Sequence, residues 1–290
     1  MTEFFEKLIH PDYGYLRVAL LAGLLASVAC GVVGTYVVTR RITYIAGSIA
    51  HCVLGGMGAA RYVQNVHGWT WATPLLGAVI SAIIAALLIG WVTLRAKERE
   101  DTVIGAIWAV GMAIGILFIQ KTPGSSEDLM SYLFGSIVMV RTTDLWILAG
   151  LNAVIVTVVV LLYHPLMAVC FDSEFARLRG LPVESYYLLL LCLTALTVVL
   201  LISVVGIVLV IALLTLPVAI AGSFARTLLH IMLAATLICM VITSAGLAVS
   251  FGPDLPAGAT TIVLAGAAYL AVLGIKAVRV SKRSQTEPRA

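Results

Sequence analysis

Charge is what this sequence most lacks. Acidic and basic side chains make up 11% of its 290 residues, against about 25% in soluble domains. No polar stretch is long enough to be a soluble domain of its own. Several chemical signatures are missing as well. There is no GxxxxGK[ST], which excludes ATP binding through a P-loop by this chain. No HExxH is present, and no serine, histidine and carboxylate cluster suggests hydrolysis, so the chain reads as a non-enzyme. The five cysteines (Cys30, Cys52, Cys170, Cys192, Cys239) form no CxxC pair, and four sit within apolar runs. They read as small buried hydrophobes, with Cys52 set apart by its neighbour His51. The N-terminal MTEFFEKLIHPDYGY lacks the basic region of a signal peptide, so the first apolar run is expected to be retained. Strand alternation and long internal repeats are absent too.

What remains is apolar: 61% hydrophobic residues and a mean hydropathy of +1.09. A membrane span needs about 20 such residues. Long runs fall at roughly 15–38, 49–65, 72–94, 103–119, 144–163, 184–203, 206–223, 229–250 and 259–277. The expected fold is an all-α polytopic membrane protein of nine spans, or eight if neighbours merge. The 184–223 region is broken only around Ser203–Gly206. A shorter run at 129–140 is expected to be re-entrant or interfacial. The whole of 1–290 reads as one transmembrane domain, with 1–14 external and 278–290 a cytoplasmic tail.

The basic residues sort by side. Alternating nine spans places thirteen of the eighteen in one set of loops: Arg40, Arg41, Arg95, Lys97, Arg99, Arg177, Arg179, Arg226 and the tail residues from Lys276 onward. The positive-inside rule makes that side cytoplasmic, with the C-terminus inside. The net charge of +4 therefore carries no nucleic-acid signal. Pro74 suits a first helical turn, Pro123-Gly124 an external turn, and FGPDLPAG (251–258) a turn between the last two spans. Pro217 lies inside an apolar run, where it should kink the helix and free a carbonyl. Gly111 and Gly115, like Gly31 and Gly34, suit close helix packing.

Thr39–Tyr62, TRRITYIAGSIAHCVLGGMGAARY, is the most informative stretch. His51 is one of few ionisable residues inside an expected span, and such residues are functional hypotheses by default. On a helix, Gly47, His51, Gly55, Gly58 and Tyr62 share one face, and glycines leave room for another helix or a hydrated ion. Neutral imidazole suits transition metals, with Ser48 and Cys52 as neighbouring donors. The pattern also fits a histidine hydrogen-bonded to another helix or lying at the cytoplasmic interface.

The second informative stretch is Phe171–Pro182, FDSEFARLRGLP. Asp172 reads as an N-cap, Glu174 and Arg177 as an i,i+3 pair, and Gly180 as the stop. A short surface helix follows, either a plain connector or a docking element, which Phe224–His230 is placed to share. Arg95–Asp101 reads as a solvated cytoplasmic turn, and Glu127, Asp128 and Asp254 as external carboxylates.

Taken in order, YVVTRRITYIAGSIAH (36–51), EDTVIGAIWAVGMAIG (100–115), DLMSYLFGSI (128–137), FDSEFARLRGLP (171–182), VGIVLVIALLTLPVAIAG (205–222) and LPAGATTIVLAG (255–266) resemble the membrane permeases of ATP-binding-cassette importers for zinc, manganese or iron. The resemblance implies a type II importer-like bundle in the bacterial cytoplasmic membrane. It implies a homodimer or paired permease, a cytoplasmic ATPase that carries the ATP, and an extracytoplasmic metal-binding protein. The divalent metal would be cargo, and no cofactor would be permanently bound. Asp172, Glu174, Arg177 and Gly180 would serve ATPase coupling, and Gly47, Gly55 and Pro217 packing or gating. The family pattern places an Asp one turn before the His; here that position is Gly47. A metal role then carries over to His51, with Cys52 or Ser48 as helpers. A metal-chelate permease of the same superfamily is expected to be longer. A secondary transporter working without ATP is expected to show inverted repeats and more midplane charge.

Overall fold

The computed structural model describes residues 7, 8, 10, 13–95, 100–123, 142–253 and 255–286. Among them there are helices and turns but no strand. The expected segment 129–140, the carboxylates Glu127, Asp128 and Asp254, and Lys97, Arg99 and Gly124 lie outside the described residues.

Eleven helices are described: α1 (Gly14–Thr39), α2 (Thr43–His67), α3 (Pro74–Arg95), α4 (Glu100–Lys121), α5 (Thr142–Leu161), α6 (Tyr163–Phe171), α7 (Ser173–Leu178), α8 (Val183–Val205), α9 (Ile207–Ala221), α10 (Leu228–Phe251) and α11 (Ala257–Thr286). Every long apolar run of the sequence carries one of them. The chain is a multi-pass membrane protein, but the expected count of eight or nine spans is not established. Six helices are long and apolar enough to cross, and α5 with α6, bent by 74°, make a seventh only if taken as one span. The 25 residues of α2 suffice in length, but their glycines and polar groups hold the hydropathy down. α9 has 15 residues, about 22 Å at ~1.5 Å per residue, short of the ~30 Å hydrocarbon core.

Local chemistry explains several boundaries. Pro74 opens α3, where its missing N–H is no loss. The break between α8 and α9 falls at Gly206, whose φ of 81° is open to a residue without Cβ. Asp172 caps α7, accepting from the Phe175 N–H at 2.9 Å. That helix ends in a Schellman turn: Leu181 N donates to Ala176 O and Gly180 N to Arg177 O, with Gly180 at φ 77°. The end of α1 has the same hydrogen bonds, from Ile42 N to Val37 O and Arg41 N to Val38 O. There the left-handed position holds Arg41, at φ 62°.

α1 runs through the middle of the bundle, touching α5, α8, α9 and α10. Small residues allow this: a Cβ on Gly31 would overlap the backbone of Thr236 on α10. Its polar groups are satisfied inside the bundle. The Ser27 hydroxyl reaches Thr243 at 3.2 Å, and the Asn152 amide of α5 donates to Leu25 O at 2.6 Å. Pro217 in α9 removes the N–H that would bond the Leu213 carbonyl. The Cys30 thiol of α1 donates to that carbonyl at 2.7 Å.

Contacts sort the helix ends onto two faces. On one, Arg40 lies over the Tyr187 ring at 5.9 Å, Arg95 meets Glu184 at 3.6 Å, and the Tyr36 hydroxyl donates to Tyr163 O at 3.4 Å. Those arginines belong to the basic set expected from sequence. On the other face, Tyr13 and Lys7 approach Phe251.

Candidate functional site

α2 and α4 run parallel at a nearly constant offset. The Ser48 hydroxyl donates to Ile104 O at 3.0 Å and the Cys52 thiol to Ile107 O at 3.2 Å. Further along, Gly55 and Gly58 face the Gly111 and Gly115 backbones, where an added Cβ would lie 2.8 and 2.7 Å from their carbonyl oxygens. Tyr62 then meets Phe118 at 5.5 Å between ring centroids. On its other side α2 touches α3, with Gly56 against Gly77. The glycines bring the backbones close enough for side chains of α2 to reach carbonyls of α4.

His51 stands on the α4 side of this helix. Its ring is stacked on the Trp108 indole, with centroids 4.4 Å apart and planes 16° from parallel. It is half-buried, and its Nδ1 is enclosed with no hydrogen-bond partner among the described residues. Metal-ligating histidines usually have the second nitrogen held by an acceptor; here none does that. Gly47, one turn earlier, is buried. A Cβ there would lie 3.0 Å from Ile211 Cδ1 of α9 and 3.6 Å from the Trp108 ring.

The candidate donors are thus brought to one helix but not to one point. Ser48 and Cys52 give their protons to carbonyls of α4, flanking His51 rather than converging with it. Among the described residues, no three His, Cys, Asp or Glu side chains gather as a metal cluster. Gly47 meets Ile211 of α9 and Trp108 of α4, Gly55 faces α4, and Pro217 is buried in α9. Trp108 escaped sequence reasoning. Its signal was the single aromatic in the stretch EDTVIGAIWAVGMAIG, at i+7 from Asp101.

The second candidate region lies on the basic face. α6, α7 and the start of α8 pack through Val169, Ala176 and Val183 and leave Phe171 65%, Phe175 50% and Leu178 87% exposed. Glu174 and Arg177, expected as an i,i+3 pair, form no ion pair among the described residues. Both are exposed on a helix of six residues, where such a pair is worth only about 0.2–0.5 kcal/mol. The nearby Arg179 instead lies 5.0 Å over the Phe175 ring. Gly180 provides the turn that sends the chain into α8.

Residues 12–276 match the ABC 3 transport family. The chain belongs to that family. Among its relatives, the membrane protein slr2045 of Synechocystis is 42% identical over 265 residues, covering 91% of this chain and 92% of the relative. The manganese transport system membrane protein MntC of Halalkalibacterium halodurans is 33% identical, covering 93% of this chain and 89% of its own length. Among solved structures, PsaBC from Streptococcus pneumoniae in complex with Fab superposes with a TM-score of 0.82 at 27% identity, over 93% of this chain and 94% of that one. The ABC 3 family assignment therefore rests on the whole bundle rather than on one motif.

Proposed function

We propose that this chain is the permease subunit of an ATP-driven importer carrying a divalent transition metal across a bacterial cytoplasmic membrane. The observation that carries the reading is the end-to-end family match, together with relatives named for metal and manganese transport. The basic face, with Arg40, Arg41, Arg95, Arg177 and Arg179, is then cytoplasmic, as is the C-terminus. Two permease chains, identical or paired, would enclose the path. An ATPase subunit would dock on α6 and α7, covering the exposed Phe171, Phe175 and Leu178, with Asp172 and Gly180 setting the helix ends. An extracytoplasmic binding protein would deliver the ion.

His51 is the ligand this chain offers to the path. It lies eight residues into α2, about 12 Å from that helix's first residue at ~1.5 Å per residue. An imidazole without a neighbouring carboxylate favours nitrogen-preferring ions over hard oxygen-seeking ones. Gly47 thus bears on the choice among manganese, zinc and iron. The test is uptake into proteoliposomes containing permease, ATPase and binding protein, across a panel of divalent metals. ATP-dependent accumulation of one or more transition metals is expected. Uptake that proceeds without the ATPase would favour a secondary transporter and overturn the reading.

A further inference from the structure

The first two turns of α2 and α4 flank a groove that ends at Trp108, the ring stacked on His51. α2 contributes Tyr44; Gly47 and His51 follow on the same helix at i+3 and i+7, with Gly47 buried. α4 contributes Asp101, Ile104, Gly105 and Trp108, at i, i+3, i+4 and i+7. Tyr44, Asp101, Ile104, Gly105 and Trp108 line a cleft of about 290 Å³. Trp108 belongs to both ends of this arrangement: it lines the cleft and it stacks on His51.

We propose that this groove is the cation's route between His51 and the basic face, with the Trp108 indole as its inner gate and the Asp101 carboxylate as an oxygen ligand at its mouth. The inference rests on the transport reading for what travels in the groove; its test reads the groove alone.

Four observations support it. First, Gly47 lies beside the stack: a Cβ there would touch the Trp108 ring at 3.6 Å and crowd the end of Ile211 at 3.0 Å. Second, the enclosed Nδ1 of His51 has no hydrogen-bond partner among the described residues, so no bond at that nitrogen resists turning of the ring. Third, Asp101 is exposed and, among the described residues, is the carboxylate that lines the cleft, on a face that also carries Arg40, Arg41 and the Arg95–Glu184 pair. A divalent cation moving toward those guanidiniums is repelled unless an anionic oxygen stands on the way. Fourth, the cleft has room for an ion with its inner water shell, at about 30 Å³ per water. An indole face is also a surface that attracts cations, so the gate does not oppose the ion it admits.

The groove is tested by thiol accessibility in the full chain in nanodiscs. The reporter is His51→Cys with Cys52→Ser, and Cys52→Ser alone gives the background. The probes are two small thiosulfonates, one a quaternary ammonium and one a sulfonate. Trp108→Ala should raise the reporter's modification rate by at least about threefold, because the large indole no longer covers position 51. Asp101→Asn should lower the cationic-to-anionic rate ratio by at least about threefold. An unchanged rate in folded Trp108→Ala, or an unchanged ratio in Asp101→Asn, would overturn the proposal. If Trp108→Ala does not fold, the exposed Asp101 decides through the ratio. No metal enters this measurement, so its failure and a failure of the transport assay are separate results.

Discussion

The same two helices, α2 and α4, meet in two ways along their length. In the half away from the basic face, glycine faces glycine: Gly55 and Gly58 touch the backbone at Gly111 and Gly115, and the interface is sealed. In the half toward the basic face, glycine faces a large side chain. Gly47 lies under Trp108 and Ile211, and Tyr44 and Gly105 share a cleft. Ser48 and Cys52 stitch the helices between these regimes. A membrane helix pair is thus closed where both partners give up their side chains, and opens where only one does. His51 sits where the two regimes meet, stacked on Trp108.

One substitution made in both halves breaks this comparison most sharply. Gly55→Ala puts a Cβ 2.8 Å from a backbone oxygen of Gly111, and no rotamer relieves that. It is expected to cost about 3 kcal/mol and to reduce the monodisperse yield in detergent strongly. Gly47→Ala meets only the ends of side chains, Ile211 Cδ1 at 3.0 Å and Trp108 at 3.6 Å. Its expected cost is under about 1.5 kcal/mol, with the yield retained. Equal losses at the two positions would erase the distinction.

The stitching is next in size. Ser48→Ala and Cys52→Ala each leave a carbonyl of α4 without its second donor, and each is expected to cost about 0.6 kcal/mol in thermal unfolding of the purified chain. Neither is expected to change uptake more than about twofold. A large uptake loss with intact stability would make either one a ligand. Smallest is Arg41→Gly, at the turn that sends the chain into the open half. Arg41 adopts φ 62°, where glycine is unstrained, while glycine also loosens the unfolded chain. A net stabilisation below about 1 kcal/mol is expected, read as a higher unfolding temperature.

Much of this architecture was legible from residue order. Apolar run lengths located the helices, Asp172 and Gly180 bounded α7, and the break near Gly206 divided α8 from α9. Those features are local: caps, turns and runs act over a few residues. Pairings across the bundle were not legible. Pro217 announced a freed carbonyl, but nothing nearby in sequence pointed to the Cys30 thiol, 183 residues from Leu213. Ser48 and Cys52 look like donors beside a histidine until the register of α4 brings carbonyls to them. The pairing of Trp108 with His51 was hidden for the same reason. The stack depends on two helices being parallel and level, and hydrophobic periodicity within either one cannot state that.

The most direct test is metal uptake by His51→Ala in proteoliposomes with the ATPase and binding protein present, measured beside co-purification of the complex. If His51 carries the ion, uptake falls at least about tenfold, the scale of losing a metal-site group, while the complex assembles at normal stoichiometry. Uptake within about twofold of the unmutated chain, with the complex intact, would contradict that role and leave His51 a partner of Trp108 in packing alone.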